Sequence, residues 1–131
     1  LQGALQQVDG FENPVFDLEQ YETPSHLAAM ILFTAENSFG DICEKTVLDL
    51  GCGCGMLSVA AALLDADLVV GVDCDNTALQ TALNNVKEFE LECQVDLIQA
   101  NVFELQLSLS SSNSLSRHLS QIDTIVTNPP F

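Results

Sequence analysis

Three glycines at alternate positions, Gly51, Gly53 and Gly55, separate a short β-branched segment from an apolar one. Thr46–Leu50 reads as a strand, and the run from Met56 to about Leu64 reads as a helix. Turning from strand to helix within five residues needs backbone freedom that glycine supplies without strain. A loop poor in Cβ atoms also lets a ligand approach the main chain. Because the loop opens a helix, its backbone N–H groups are expected to face an anionic group such as a carboxylate. A dinucleotide fingerprint, Gly-x-Gly-x-x-Gly, would need glycine at position 56, where the chain has Met56, so the loop fits a nicotinamide or flavin dinucleotide poorly.

The rest of the chain extends this strand–helix alternation. Strands are expected at Leu68–Asp73, Val95–Ala100 and Ile122–Thr127. A helix is expected from Thr77 to about Glu90, with Leu79, Ala82, Leu83, Val86 and Phe89 on one face. Strands separated by helical stretches imply parallel pairing through right-handed crossovers, and the apolar strands imply helices on both sheet faces. Upstream, Thr23-Pro24 reads as a helix start, with Thr23 as N-cap and Pro24 at the first helical position. Leu27, Ala28, Ile31, Leu32 and Ala35 follow at helical spacing. Residues 108–120 include seven serines and are expected to form a flexible loop. The 131 residues suffice for one domain with a core.

With 3 Lys+Arg against 19 Asp+Glu, the net charge is −16. Such a surface suits phosphate poorly, so an RNA substrate would need basic surface from elsewhere. The five cysteines form no Cys-x-x-Cys pair, and Cys52 and Cys54 lack usual zinc-ligand spacing, so no metal is expected. Their odd number, and apolar runs of about seven residues against the ~20 that span a bilayer, point to a reducing intracellular compartment and away from membranes.

Two further positions carry chemistry. Asp73 ends the second strand, 22 residues after Gly51, where a carboxylate can accept hydrogen bonds from both hydroxyls of a ribose. The competing role for Asp73, capping the next helix, can be filled by Asp75 or Asn76. The last strand runs into Asn128-Pro129-Pro130-Phe131. An exocyclic amine is a poor nucleophile because its lone pair is delocalised into the ring. Two acceptors on its hydrogens, the Asn128 side-chain oxygen and the Pro129 carbonyl, would free and aim that pair. The two prolines fix φ and present no competing N–H, and Phe131 offers a face on which a flipped-out base can stack. A glycine loop after one strand and this turn after a later one form the pattern of an amino-methyltransferase using S-adenosyl-L-methionine. At the end of the third strand, Asn101-Val102 would then contact the adenine, Asn101 accepting from its amine without the charge of a carboxylate.

Phe11, Leu18-Glu19-Gln20-Tyr21-Glu22-Thr23-Pro24, Asp49-Leu50-Gly51-Cys52-Gly53-Cys54-Gly55, Val86-Lys87-Glu88-Phe89-Glu90-Leu91 and the final turn resemble the methyltransferase-like five family. These are eukaryotic enzymes that methylate N6 of an adenine in small-subunit ribosomal RNA. The resemblance implies the α/β class I S-adenosylmethionine-dependent methyltransferase (Rossmann-like) fold, with a partial parallel sheet of about four strands. It implies cofactor contacts from Gln20, Thr23, Gly51, Gly53, Cys54, Met56, Asp73, Asn101 and Val102, and catalysis at Asn128, Pro129, Pro130 and Phe131. It also implies a small zinc-binding activator subunit that covers an edge strand. In a sheet ordered 3-2-1-4 that edge is Val95–Ala100, which needs a cover. The family works in cytoplasm and nucleus. Its members continue past the Asn-Pro-Pro-Phe turn, so residues 1–131 are expected to form the N-terminal, cofactor-binding part of a single methyltransferase domain. Two alternatives use the same residues: transfer to a glutamine side-chain nitrogen in a protein, and a non-catalytic chain that binds only cofactor or activator.

Overall fold

A computed structural model describes residues 1–15, 18, 20–102 and 121–129. The serine-rich stretch 108–120, Pro130 and Phe131 lie outside the described residues. In chain order the elements are α1 (Gln2–Leu5), α2 (Ser25–Thr34), β1 (Thr46–Leu50), α3 (Met56–Leu63), β2 (Leu68–Asp73), α4 (Asn76–Glu88), β3 (Val95–Gln99) and β4 (Thr124–Thr127). Beyond α2 the chain continues as one wider π turn, Ala35–Phe39, which Gly40 closes in the left-handed conformation.

The four strands form one parallel sheet in the order β3-β2-β1-β4. Leu50 at the end of β1 is in register with Val72 of β2 and with Thr127 of β4. Three strands therefore finish side by side, and the loops that follow them gather at one end of the sheet. The Thr127 hydroxyl ties that end together by donating to the Leu50 carbonyl at 2.9 Å.

Successive strand residues face opposite ways, so the sheet has two apolar surfaces. Val47, Val69, Val95 and Val126 join a core with Leu5, Ala28, Leu32, Val59, Ala60 and Val86 from the four helices. Leu48, Val70 and Val72 form a second cluster on the other surface, with Leu50 and Ile98 beside it. The described helices thus pack on one surface, whereas the sequence predicts helices on both; the described residues place no helix against the Leu48–Val72 cluster.

The start of α2 also departs from expectation. Pro24 takes the cap position, with φ −57° and ψ 139°, and no side chain caps the helix. The Thr23 hydroxyl instead reaches across the molecule to Asn128, a bond of greater chain separation than a cap. Asp75 does cap α4, its carboxylate accepting the Thr77 amide at 2.9 Å.

Candidate active site

The glycine loop folds back onto β2. The amides of Gly51 and Cys52 donate to the Val72 carbonyl, that of Gly53 to Asp73 Oδ2 at 2.8 Å, and that of Gly55 to the Cys52 carbonyl. Four loop amides are therefore spent inside the protein. This narrows the expectation that the loop offers its N–H groups to a ligand, since the amides of Gly51, Cys52, Gly53 and Gly55 are taken. Asp73 is correspondingly fixed, since its second oxygen accepts the Asp75 amide at 2.9 Å. A carboxylate has about four lone-pair sites, so capacity is left for a ligand.

Two adjoining cavities open over the loop. The larger, about 570 Å³, is lined by Gln20, Gly51, Gly53, Asp73, Asn101, Val102, Asn128 and Pro129, together with Phe11, Leu18 and Tyr21. The smaller, about 30 Å³, is lined by Thr23, Gly51, Gly53, Cys54, Met56 and Asn128, with Glu22 and Asp49. Every predicted site residue that is described lines one cavity or the other. Gly51, Gly53 and Asn128 line both, because β1 and β4 are neighbours and these three residues follow their carboxyl ends. Pro130 and Phe131 lie outside the described residues.

The polar groups of the site hold one another in place. Asn128 Nδ2 donates to Thr23 Oγ1 at 3.0 Å, and Asn128 Oδ1 accepts from the Tyr21 hydroxyl at 3.1 Å. This pair of bonds turns the amide oxygen toward Tyr21, on the wall of the larger cavity. Gln20 donates to Asp75 Oδ2 at 2.6 Å and accepts the Val15 amide at 2.8 Å, so its amide links Val15 to the cap of α4.

Asp49 is a site residue that pattern reading misses. It is 1% exposed; one oxygen accepts the Ser58 hydroxyl at 2.6 Å and the other has no partner among the described residues. Burial pushes its carboxyl up to about 7, the Ser58 hydrogen bond works against that rise, and the nearby Asp73 charge adds to it. The signal in the sequence is a carboxylate placed inside an otherwise apolar strand. Burial, then the Glu22 charge, pushes the Cys54 thiol up to about 11, and burial raises Cys52 well above its ordinary value, so both are inert thiols at neutral pH. Among the described residues no group of three or more His, Cys, Asp or Glu is arranged to hold a metal ion, and no helix is long and apolar enough to cross a membrane.

A strand, a glycine loop, a carboxylate ending the next strand and an Asn-Pro turn on the adjacent strand meet at one groove. A family model described as ribosomal protein L11 methyltransferase (PrmA) matches residues 27–128, which span these parts as far as Asn128. The chain belongs to this methyltransferase family. It is 49% identical over its whole length to a Danio rerio protein named rRNA N(6)-adenosine-methyltransferase METTL5, covering 58% of that protein. The Drosophila melanogaster protein of the same name is 45% identical, with 57% covered. A crystal structure of a putative RNA methyltransferase from Pyrococcus horikoshii superposes on the entire chain with a TM-score of 0.80 and 36% identity, the chain covering 59% of it. The chain thus spans somewhat over half the length of the relatives it matches. The sheet is that of the class I S-adenosylmethionine-dependent methyltransferases, and the likeness to the methyltransferase-like five family extends from end to end of the chain. The family model's name points to a protein substrate and the relatives' names to RNA. The two sets of names differ in substrate, and the sheet order does not choose between them.

Proposed function

We propose that the chain binds S-adenosyl-L-methionine and carries the amine-binding turn of a methyltransferase acting on N6 of an adenine in structured ribosomal RNA. The observation that carries this reading is the parallel pairing of β1 with β4, which sets the glycine loop and Asn128 on the walls of the same cavities. The residues fit the cofactor. The unpartnered Asp49 oxygen against the smaller, polar cavity suits an ammonium group; Asp73 suits a ribose diol; Asn101 and Val102 close the far side of the larger cavity, where a purine would lie.

The bound cofactor supplies a sulfonium methyl, and the chain's residues prepare what receives it. Asn128 Oδ1 has two lone pairs. It keeps the Tyr21 bond on one and accepts an amine hydrogen on the other, while the Pro129 carbonyl accepts the second hydrogen. Holding both hydrogens restores the lone pair and fixes its direction, so catalysis is positioning and electrostatics. The amide of Asn128 cannot rotate freely, because Thr23 holds its nitrogen.

As the cofactor-binding part of a methyltransferase domain, the chain would take a small zinc-binding activator subunit on the edge of β3. Among the described residues that strand has an unpaired side, with Leu97 and Ile98 half-buried. The activator or further protein would also bring the basic surface that a chain of net charge −16 lacks. With a ribosomal substrate the chain would work in cytoplasm and nucleus.

Radiolabelled methyl donor offered to ribosomal RNA and to release-factor protein, with activator present, tests the proposal. Label is expected in the RNA, at N6 of adenosine. Asn128→Ala should abolish transfer and leave cofactor affinity within about twofold. Label in glutamine of the protein would replace the RNA reading with the protein one, and turnover by Asn128→Ala would end the mechanism.

A further inference from the structure

Asn85 on α4 is fully buried, and the chemistry above makes no use of it. Its side-chain oxygen accepts the Asp9 amide at 2.9 Å. Its NH2 group donates to the Asp9 carbonyl at 3.0 Å and to the Cys54 carbonyl at 2.9 Å. Both amide hydrogens are committed. The side chain thus pairs with Asp9 in both directions, as a peptide unit would, and uses its remaining hydrogen on the glycine loop. An Asp at this position would set a carboxylate against two carbonyl oxygens, and an apolar residue would leave three backbone groups without this partner, the Cys54 carbonyl among them buried.

Asp9 lies two residues before Phe11. The Phe11 ring packs over Gly53 so closely that a Cβ on Gly53 would stand 2.7 Å from Cζ. Phe11 and Gly53 line both cavities. Upstream, Leu5 and Val8 seat the same N-terminal arm in the core, so the arm is anchored before Asp9 and meets the loop just after it. One buried amide therefore joins the segment that carries the cover to the loop that it covers.

We infer that Asn85 is a positioning residue: it seats the N-terminal arm on the glycine loop and, through Phe11, completes the wall of the cofactor cavity. The inference rests on the reading of that cavity as an S-adenosylmethionine site. Because Asn85 acts through Phe11, removing either should forfeit the same contact, and the two losses should not multiply.

Calorimetry with S-adenosyl-L-homocysteine on the full chain tests this, using wild type, Asn85→Ala, Phe11→Ala and the double variant, with circular dichroism to establish folding. Each single variant is expected to bind about tenfold more weakly, and the double variant within about twofold of Phe11→Ala. Losses that multiply in the double variant would overturn the inference, as would wild-type affinity in Asn85→Ala. Should Asn85→Ala not fold, Asp9→Pro removes the hydrogen that Asn85 accepts and spares the Cys54 bond. Its affinity should fall likewise, and unchanged affinity would overturn the inference. A wild-type chain that binds no S-adenosyl-L-homocysteine would overturn the reading of the cavity and this inference together; normal wild-type binding with undiminished variants overturns the role of Asn85 alone.

Discussion

Asp49 is a side chain whose chemistry the fold alters strongly. Its folded-state carboxyl titrates at about 7 against an ordinary 3.8, burial being the main cause. Between about pH 4 and about pH 7 the folded chain keeps a proton that the unfolded chain releases, so this group stabilises the fold below that window and its contribution is lost as pH rises through it. Urea unfolding of the ligand-free chain across that range should show stability falling with pH, and Asp49→Asn should flatten the fall. Parallel curves for the two proteins would show that Asp49 stays ionised in the fold. Residue roles of this kind were the least legible in the sequence. Asp49 had an outward sign, a carboxylate in an apolar strand. Thr23 read as a helix cap, because Thr-Pro before an apolar run is the local signature of one, yet its hydroxyl serves Asn128 at a separation of 105 residues. Asn85 and Tyr21 carried no local sign, since their partners, Asp9, Cys54 and Asn128, become neighbours only once the sheet has formed.

The glycine loop shows how an element is specified by sequence and finished by packing. Gly51 and Gly53 both hold positive φ, 70° and 55°, a conformation that costs a residue with Cβ roughly 1–2 kcal/mol. A Cβ at Gly51 would meet nothing within 4 Å, whereas one at Gly53 meets the Phe11 ring. Both alanine variants should therefore lose stability in the ligand-free chain, with Gly53→Ala losing about 1 kcal/mol more than Gly51→Ala. Chemical denaturation of the pair measures the difference, and equal losses would mean that the Phe11 ring moves aside freely. The strands were legible because apolar, β-branched runs between turn residues have few other solutions in a parallel sheet, and β1 and β2 match their expected bounds. Helix α4 was legible from its one apolar face and its Asp75 cap. The direction of the loop amides was not, because whether an N–H faces a ligand or the neighbouring strand depends on how the loop folds back, and here β2 takes two of them and Asp73 a third.

At the scale of the molecule, the strand order was the most consequential expectation. The order 3-2-1-4, expected of a doubly wound sheet, makes neighbours of two loops about 75 residues apart in the chain. It also leaves β3 at an edge, where a partner strand could pair. The helices on a single surface of the described sheet were not foreseen, because apolar strands state that both surfaces are buried without stating by what. The account depends on the loop after β1 and the turn after β4 forming one site. Titration of isotopically labelled chain with S-adenosyl-L-methionine, followed by NMR at the Gly51 and Gly53 amides and at the Asn128 side-chain amide, tests this most directly. The account predicts that all of these signals shift together along one binding curve. Movement of the glycine signals with the Asn128 amide unmoved at saturation would contradict it.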